Sequence, residues 1–204
     1  MDRLYVSAGA IALTALIGWQ SYMFMAAQSG DPFAACRGGA VGGALGGPMT
    51  LIDENGATTT DAELLAKPAL IYFGYASCPD VCPLDNARNA EAADLLAAQG
   101  LDLTPIFISV DPTRDTPEIL REYTDNFSPR LLGLTGSDAQ IKLAAQAYKV
   151  YYNIPDHQKG DAYTVDHTTL TYLMLPSIGF ADFFERDTTA QDVAKRVSCF
   201  LQSS

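Results

Sequence analysis

The stretch Pro68-Ala69-Leu70-Ile71-Tyr72-Phe73-Gly74-Tyr75-Ala76-Ser77-Cys78-Pro79-Asp80-Val81-Cys82-Pro83 decides how this 204-residue chain folds. Its first half is a continuous apolar run, the pattern of a strand covered on both faces. Its second half sets two cysteines four positions apart, just before an Ala- and Leu-rich segment. That segment, Leu84 to Gln99, reads as a helix stopped by Gly100. A second buried strand follows at Leu103 to Val110. Strand, helix and strand in this order make a βαβ unit.

Downstream, Thr116 caps a helix from Pro117 to Phe127, with proline at the first helical position. Leu131 to Leu134 reads as a short strand, and Ser137 caps a helix reaching about Tyr148. Val165 to Leu175 and Ile178 to Phe184 read as two strands joined at Pro176-Ser177, and Thr188 to Leu201 as a closing helix. Upstream, Asn55-Gly56 sits between two short strand segments and reads as a hairpin turn. The order predicts an α/β chain with a thioredoxin-like fold and an added N-terminal β-hairpin.

No Asp, Glu, Lys or Arg occurs from Leu4 to Ser29. A run of that length suffices for one transmembrane helix, with Trp19 and Tyr22 toward its outer end. Arg3 and the terminal amine precede it, so the positive-inside rule sends the remainder of the chain across the membrane. A cleaved signal peptide would need a shorter apolar core and a small-x-small site, which Met23-Phe24-Met25-Ala26-Ala27 fits poorly. Cys36 lies too far beyond the run to be its lipidation site. The expected organisation is an anchor over 1–30, a Gly/Ala-rich linker over 31–47 and one domain over 48–204. A single-pass protein of the cytoplasmic membrane follows, its domain facing the periplasm, or the intermembrane space in a mitochondrion.

The net charge of -11 argues against nucleic-acid binding. It suits solubility and, more weakly, docking to a basic patch. There are four cysteines, Cys36, Cys78, Cys82 and Cys199. An outward-facing domain lies where disulfides persist. Cys36 and Cys199, near opposite ends of the domain, read either as a disulfide tying the termini together or as two unrelated thiols.

Cys78 and Cys82 lie between a strand end and a helix N-terminus, whose free amides and partial positive charge favour thiolate. Redox pairs usually have two intervening residues, and here there are three. Cysteines at i and i+4 share one face of a helical turn, so they can close a disulfide or pinch one soft ion. Two thiolates select Cu(I), zinc or iron–sulfur. The chain has two histidines. His157 sits in a polar insert, Asn153 to Gly160, and reads as an exposed loop residue. His167 begins an apolar strand which, in this fold, starts beside the cysteine-bearing helix end. Cys78, Cys82 and His167 are therefore the candidate ligands of an open three-ligand site. Copper suits it, and zinc stays open, since an open Cys-Cys-His zinc site is also known in catalysis. No base for a zinc-bound hydrolytic water is evident. Met23 and Met25 read as membrane-helix residues and Met174 as strand core. Asp111, Arg114 and Asp115 read first as a strand-end loop held by local ion pairs, and second as a docking patch or a support for the site.

Phe73 to Pro83 resembles the signature of the SCO/SenC family of copper chaperones. Val110-Asp111-Pro112-Thr113-Arg114-Asp115-Thr116-Pro117, Leu132-Gly133-Leu134-Thr135-Gly136 and Val165-Asp166-His167-Thr168 agree in order and spacing. The resemblance covers most of residues 46 to 201. It implies a copper-binding thioredoxin-like domain that helps to assemble the dinuclear copper A centre of cytochrome c oxidase. The implied ligands are Cys78, Cys82 and His167, and the implied partners are the copper-accepting oxidase subunit and other copper chaperones. Ala76-Ser77 and Leu175-Pro176-Ser177 depart from the common pattern without touching these residues. Cys36 and Cys199 inherit no role. A thiol–disulfide oxidoreductase cycling Cys78 and Cys82 is the main rival, with a redox or copper sensor next and a peroxidase weaker.

Overall fold

Asp53 starts the turn that Asn55-Gly56 predicts, its carboxylate accepting the amides of Asn55 (2.9 Å) and Ala57 (2.8 Å). Gly56 supplies the positive φ of 80° that a side chain would resist. The turn joins Thr50–Asp53 (β1) to Thr58–Thr60 (β2), antiparallel with Ile52 opposite Thr58. The computed structural model describes residues 18–20, 33–38, 44–154 and 163–203. Contacts divide the chain into Met1–Ala35 and a compact unit, Cys36–Ser204. The described residues of the first unit are a helical piece at 18–20 and a turn at 33–35. The rest of the expected anchor lies outside the described residues. Among those described, no helix is long and apolar enough to cross a membrane.

In the second unit the one-turn helix Asp61–Leu64 (α1) leads to Ala69–Gly74 (β3), every residue of which is buried. Val81–Ala97 (α2) crosses to Thr104–Ser109 (β4), parallel to β3 from Ala69 opposite Thr104 to Gly74 opposite Ser109. Pro117–Asp125 (α3) begins at Thr116, whose side chain accepts the Ile119 amide. Leu132–Thr135 (β5) runs parallel to β4, and Asp138–Ala147 (α4) follows behind a Ser137–Gln140 capping box. The remaining elements are Tyr152–Asn153 (β6), Asp166–His167 (β7), Thr171–Leu175 (β8), Gly179–Phe184 (β9) and Ala190–Gln202 (α5).

The main sheet has the order β2-β1-β5-β4-β3-β8-β9, with β8 antiparallel to β3 and β9 antiparallel to β8. The βαβ and ββα units thus meet at β3, as a thioredoxin-like fold requires, and the N-terminal hairpin extends the sheet beyond β5. Leu70, Ile71, Tyr72, Phe73 and Phe107 are wholly buried at the centre. Burial contributes about 1.5–3 kcal/mol for each large apolar side chain, so β3 is a rigid base for the cysteine loop after it.

Three features differ from the expectations. The segment expected as one strand from Val165 to Leu175 is two strands. Thr168 donates its amide to the Tyr151 carbonyl (2.9 Å), and its hydroxyl accepts the Tyr151 amide (3.1 Å). These bonds draw residues 166–167 away from β3 into a separate ribbon with β6, a strand that the sequence reading missed. Helix α2 starts at Val81, before the expected Leu84, because Pro83 is tolerated within a first turn whose amides need no intrahelical acceptor. Third, part of the expected linker is bonded to the domain. Cys36 forms a disulfide with Cys199 across 163 positions, Arg37 donates to the Ala181 carbonyl (3.1 Å), and the Gly46 amide donates to the Ala147 carbonyl (2.9 Å).

Candidate metal centre

The Cys78 amide donates to the Tyr75 carbonyl (3.2 Å), closing the turn between β3 and α2. The first amides of α2 then need acceptors. The Asp80 side chain, at the N-cap position, supplies none. The Cys78 sulfur takes that part and accepts the Cys82 amide at 3.4 Å. Burial pushes the Cys78 thiol up, but the amides of Asp80, Cys82 and Val81 and the Cys82 side chain outweigh it, leaving a net fall below the ordinary thiol value. Cys82 is different. It is fully buried, and burial drives its thiol well above the ordinary value, only partly offset by the Tyr75 backbone. The pair is asymmetric: a thiolate-prone sulfur at the cleft and a proton-holding one beneath it. Both are free thiols.

Gly74 makes room for the inner sulfur. A Cβ there would lie 2.8 Å from Cys82 Sγ and 2.9 Å from Phe107 Cε2. A glycine at the end of a buried strand is a signal of close approach that the sequence reading passed over.

His167 reaches the site from the β6–β7 ribbon, where it faces Tyr152. Its Nδ1 is 2.9 Å from the Thr168 carbonyl oxygen, which can only accept, so Nδ1 carries the proton. Nε2 is left with its lone pair 3.3 Å from Cys82 Sγ. Tyr72 and Tyr75 meet the imidazole edge-on, with ring centroids at 6.1 and 5.9 Å. Burial holds the His167 pKa below the ordinary value, against the opposing pull of the Thr168 carbonyl and Asp85. At neutral pH the ring is uncharged, the form that ligates metal.

The donor atoms of Cys78, Cys82 and His167 all lie within 4.8 Å of one another. Cys78 and His167 line an open cleft between the Cys78–Val81 turn and the Thr164–His167 segment, with Cys82 buried beneath it. All three candidates named from the sequence therefore converge. His157 lies outside the described residues. Met174 is buried in β8, as expected of strand core.

The Asp111–Asp115 loop is more than locally bonded. Asp115 accepts the Ser109 hydroxyl and the Ala76 amide (2.9 Å), which fixes the approach to Cys78. Asp111 accepts from Arg114 Nε and from the Tyr163 hydroxyl (2.8 Å). Tyr163 carried no signal in the sequence, because its contact is made across 52 positions.

The SCO1/SenC family model matches residues 39–202. The chain belongs to the SCO1/SenC family. It is 50% identical over 199 residues to protein SenC of Rhodobacter capsulatus, covering 96% of this chain and 89% of that protein. It is 38% identical over 160 residues to the human mitochondrial SCO1 homolog, covering 78% of this chain and 53% of that protein, so it spans about half of that longer relative. Among solved structures, Arabidopsis thaliana ScoI with copper bound aligns with a TM-score of 0.72 at 39% identity, over 78% of this chain and 99% of that one. Yeast Sco1 with copper bound aligns with a TM-score of 0.75 at 36% identity, over 79% and 91%. This SCO1/SenC chain thus shares its fold with relatives solved in copper-bound form.

Proposed function

We propose that this chain is a copper metallochaperone that holds one copper ion on Cys78, Cys82 and His167 and passes it to the copper-accepting subunit of cytochrome c oxidase, maturing the dinuclear copper A centre. The observation that carries this reading is the meeting of two sulfurs and one lone-pair nitrogen within 4.8 Å, beside an open cleft that Cys78 and His167 line. Two thiolates and an imidazole match the preference of copper for soft and intermediate ligands. Three ligands in an open site leave room for an incoming thiolate of the acceptor, so transfer can proceed by ligand exchange. The copper-bound relatives from Arabidopsis and yeast support the same cargo. The apolar run from Leu4 to Ser29 would anchor the chain in the membrane, with the site on the periplasmic or intermembrane side.

Mixing the copper-loaded full chain with the reduced, copper-free acceptor tests this reading. The absorption of the dinuclear centre should develop in the acceptor while this chain loses its metal. Retention of copper by this chain in the presence of a competent acceptor would refute it.

The asymmetry of the two thiols favours a second activity. Cys78 is thiolate-prone at the cleft, and Cys82 is buried and protonated, which is the arrangement of an attacking and a resolving thiol. The pair would reduce a disulfide of the acceptor before metal arrives. The two electrons pass to that disulfide as the Cys78–Cys82 bond forms. Oxidation of the pair removes the thiolates and with them the copper site.

A further inference from the structure

Cys78 and His167 belong to segments that no regular element joins. The first is a turn after the central sheet, and the second is a two-residue strand of a separate ribbon. Arg114 contacts a residue flanking each of them. Its guanidinium stacks 3.6 Å from the centroid of the Tyr163 ring and lies 5.5 Å from that of Tyr75. Its NH1 donates to the Tyr163 carbonyl (3.0 Å), and its Nε donates to Asp111, which in turn accepts the Tyr163 hydroxyl. Tyr163 stands four residues before His167. Tyr75 accepts the Cys78 amide and packs edge-on against the His167 ring. One planar cation therefore touches the residue that starts the cysteine turn and the residue that leads into the histidine strand.

We propose that Arg114 is a positioning residue for the metal centre: it clamps Tyr163 against Tyr75 and so holds the His167 nitrogen at the distance the two sulfurs require. This rests on the copper reading above. Arginine is specific to the task. A planar fork can stack on a ring face while donating in its own plane to a carbonyl and a carboxylate, and a lysine ammonium cannot do both. Loss of the clamp leaves Cys78 and Cys82 in place, since their turn is held separately by the Tyr75 carbonyl and by Asp115 on the Ala76 amide. The imidazole is what becomes misplaced.

The test compares wild type with Arg114→Met and Arg114→Lys in the reduced full chain. Supports of metal ligands are worth about 10–100-fold in affinity, so both variants should bind copper that much more weakly. With Cu(II), the thiolate-to-copper absorption should persist while the nitrogen hyperfine coupling from the imidazole weakens. A readout without metal is the His167 Nδ1–H resonance of the apo protein, which should shift or broaden in both variants while the global unfolding midpoint of Arg114→Lys stays near wild type. Wild-type copper affinity, wild-type nitrogen coupling and an unchanged His167 resonance in both variants would overturn the clamp. Absence of copper binding by the wild type would instead refute the copper reading, and the His167 resonance would still decide the positioning role.

Discussion

At the scale of single residues, the proton inventory of the site predicts how metal uptake responds to pH. Cys82 holds its proton above the ordinary thiol value of 9.0, Cys78 falls below that value, and His167 falls below 6.5. Copper must displace the Cys82 proton throughout the neutral range, so apparent affinity should rise with pH by about tenfold per unit for each proton released. The slope should steepen below the lowered His167 value, where the ring proton competes as well. Competitive copper titration from pH 5.5 to 9 measures this, and a flat profile would contradict the buried, protonated Cys82. His167→Ala should lower copper affinity by more than about 100-fold, beyond the usual cost of removing only a ligand's support. The Cys78–Cys82 disulfide should still form in that variant, as thiol counting after mild oxidation would record. Gly74→Ala should drive a methyl group into Cys82 Sγ and cost about 1–3 kcal/mol of stability, with weakened copper binding. Thermal unfolding and metal titration of that variant check both effects.

At the scale of elements, the sequence was most legible where periodicity and caps agreed. The fully apolar β3, the Thr116 and Ser137 caps and the Asn55-Gly56 turn are local signals, and each lies where its residues point. The ribbon of β6 and β7 was not legible, because it depends on bonds between Tyr151 and Thr168 across 17 positions. Without that pairing, the apolar alternation after Val165 reads as one strand. His167 could still be named, since the loop before β8 returns to the end of β3 whichever sheet holds it. The Arg114–Tyr163 contact left no trace in the local pattern, for the same long-range reason. Cys36 and Cys199 could be read either way from sequence, and the structure joins them, pinning the start of the domain to α5. Neither belongs to the metal cluster. Replacing both with serine should cost about 2–5 kcal/mol, or roughly 5–15 °C in unfolding temperature, while the copper stoichiometry stays unchanged. Calorimetry with metal analysis separates the two effects.

At the scale of the whole molecule, a buried parallel–antiparallel sheet holds the cysteine turn rigidly, and a small ribbon outside that sheet supplies the third ligand. This division suits a carrier. A rigid dithiol keeps the metal, and a ligand on a separate, short ribbon is the one most readily withdrawn during exchange. A net charge of -11 favours solubility and works against electrostatic attraction to nucleic acid. The proposed copper transfer depends first on the site formed by Cys78, Cys82 and His167. Copper titration of the reduced full chain, with metal analysis and spectroscopy, tests that site. The expected result is one copper per chain, thiolate-to-copper absorption together with imidazole nitrogen coupling, and no uptake once Cys78 and Cys82 are oxidised. No copper uptake with the dithiol intact would contradict it and leave the thiol–disulfide activity as the function of the pair.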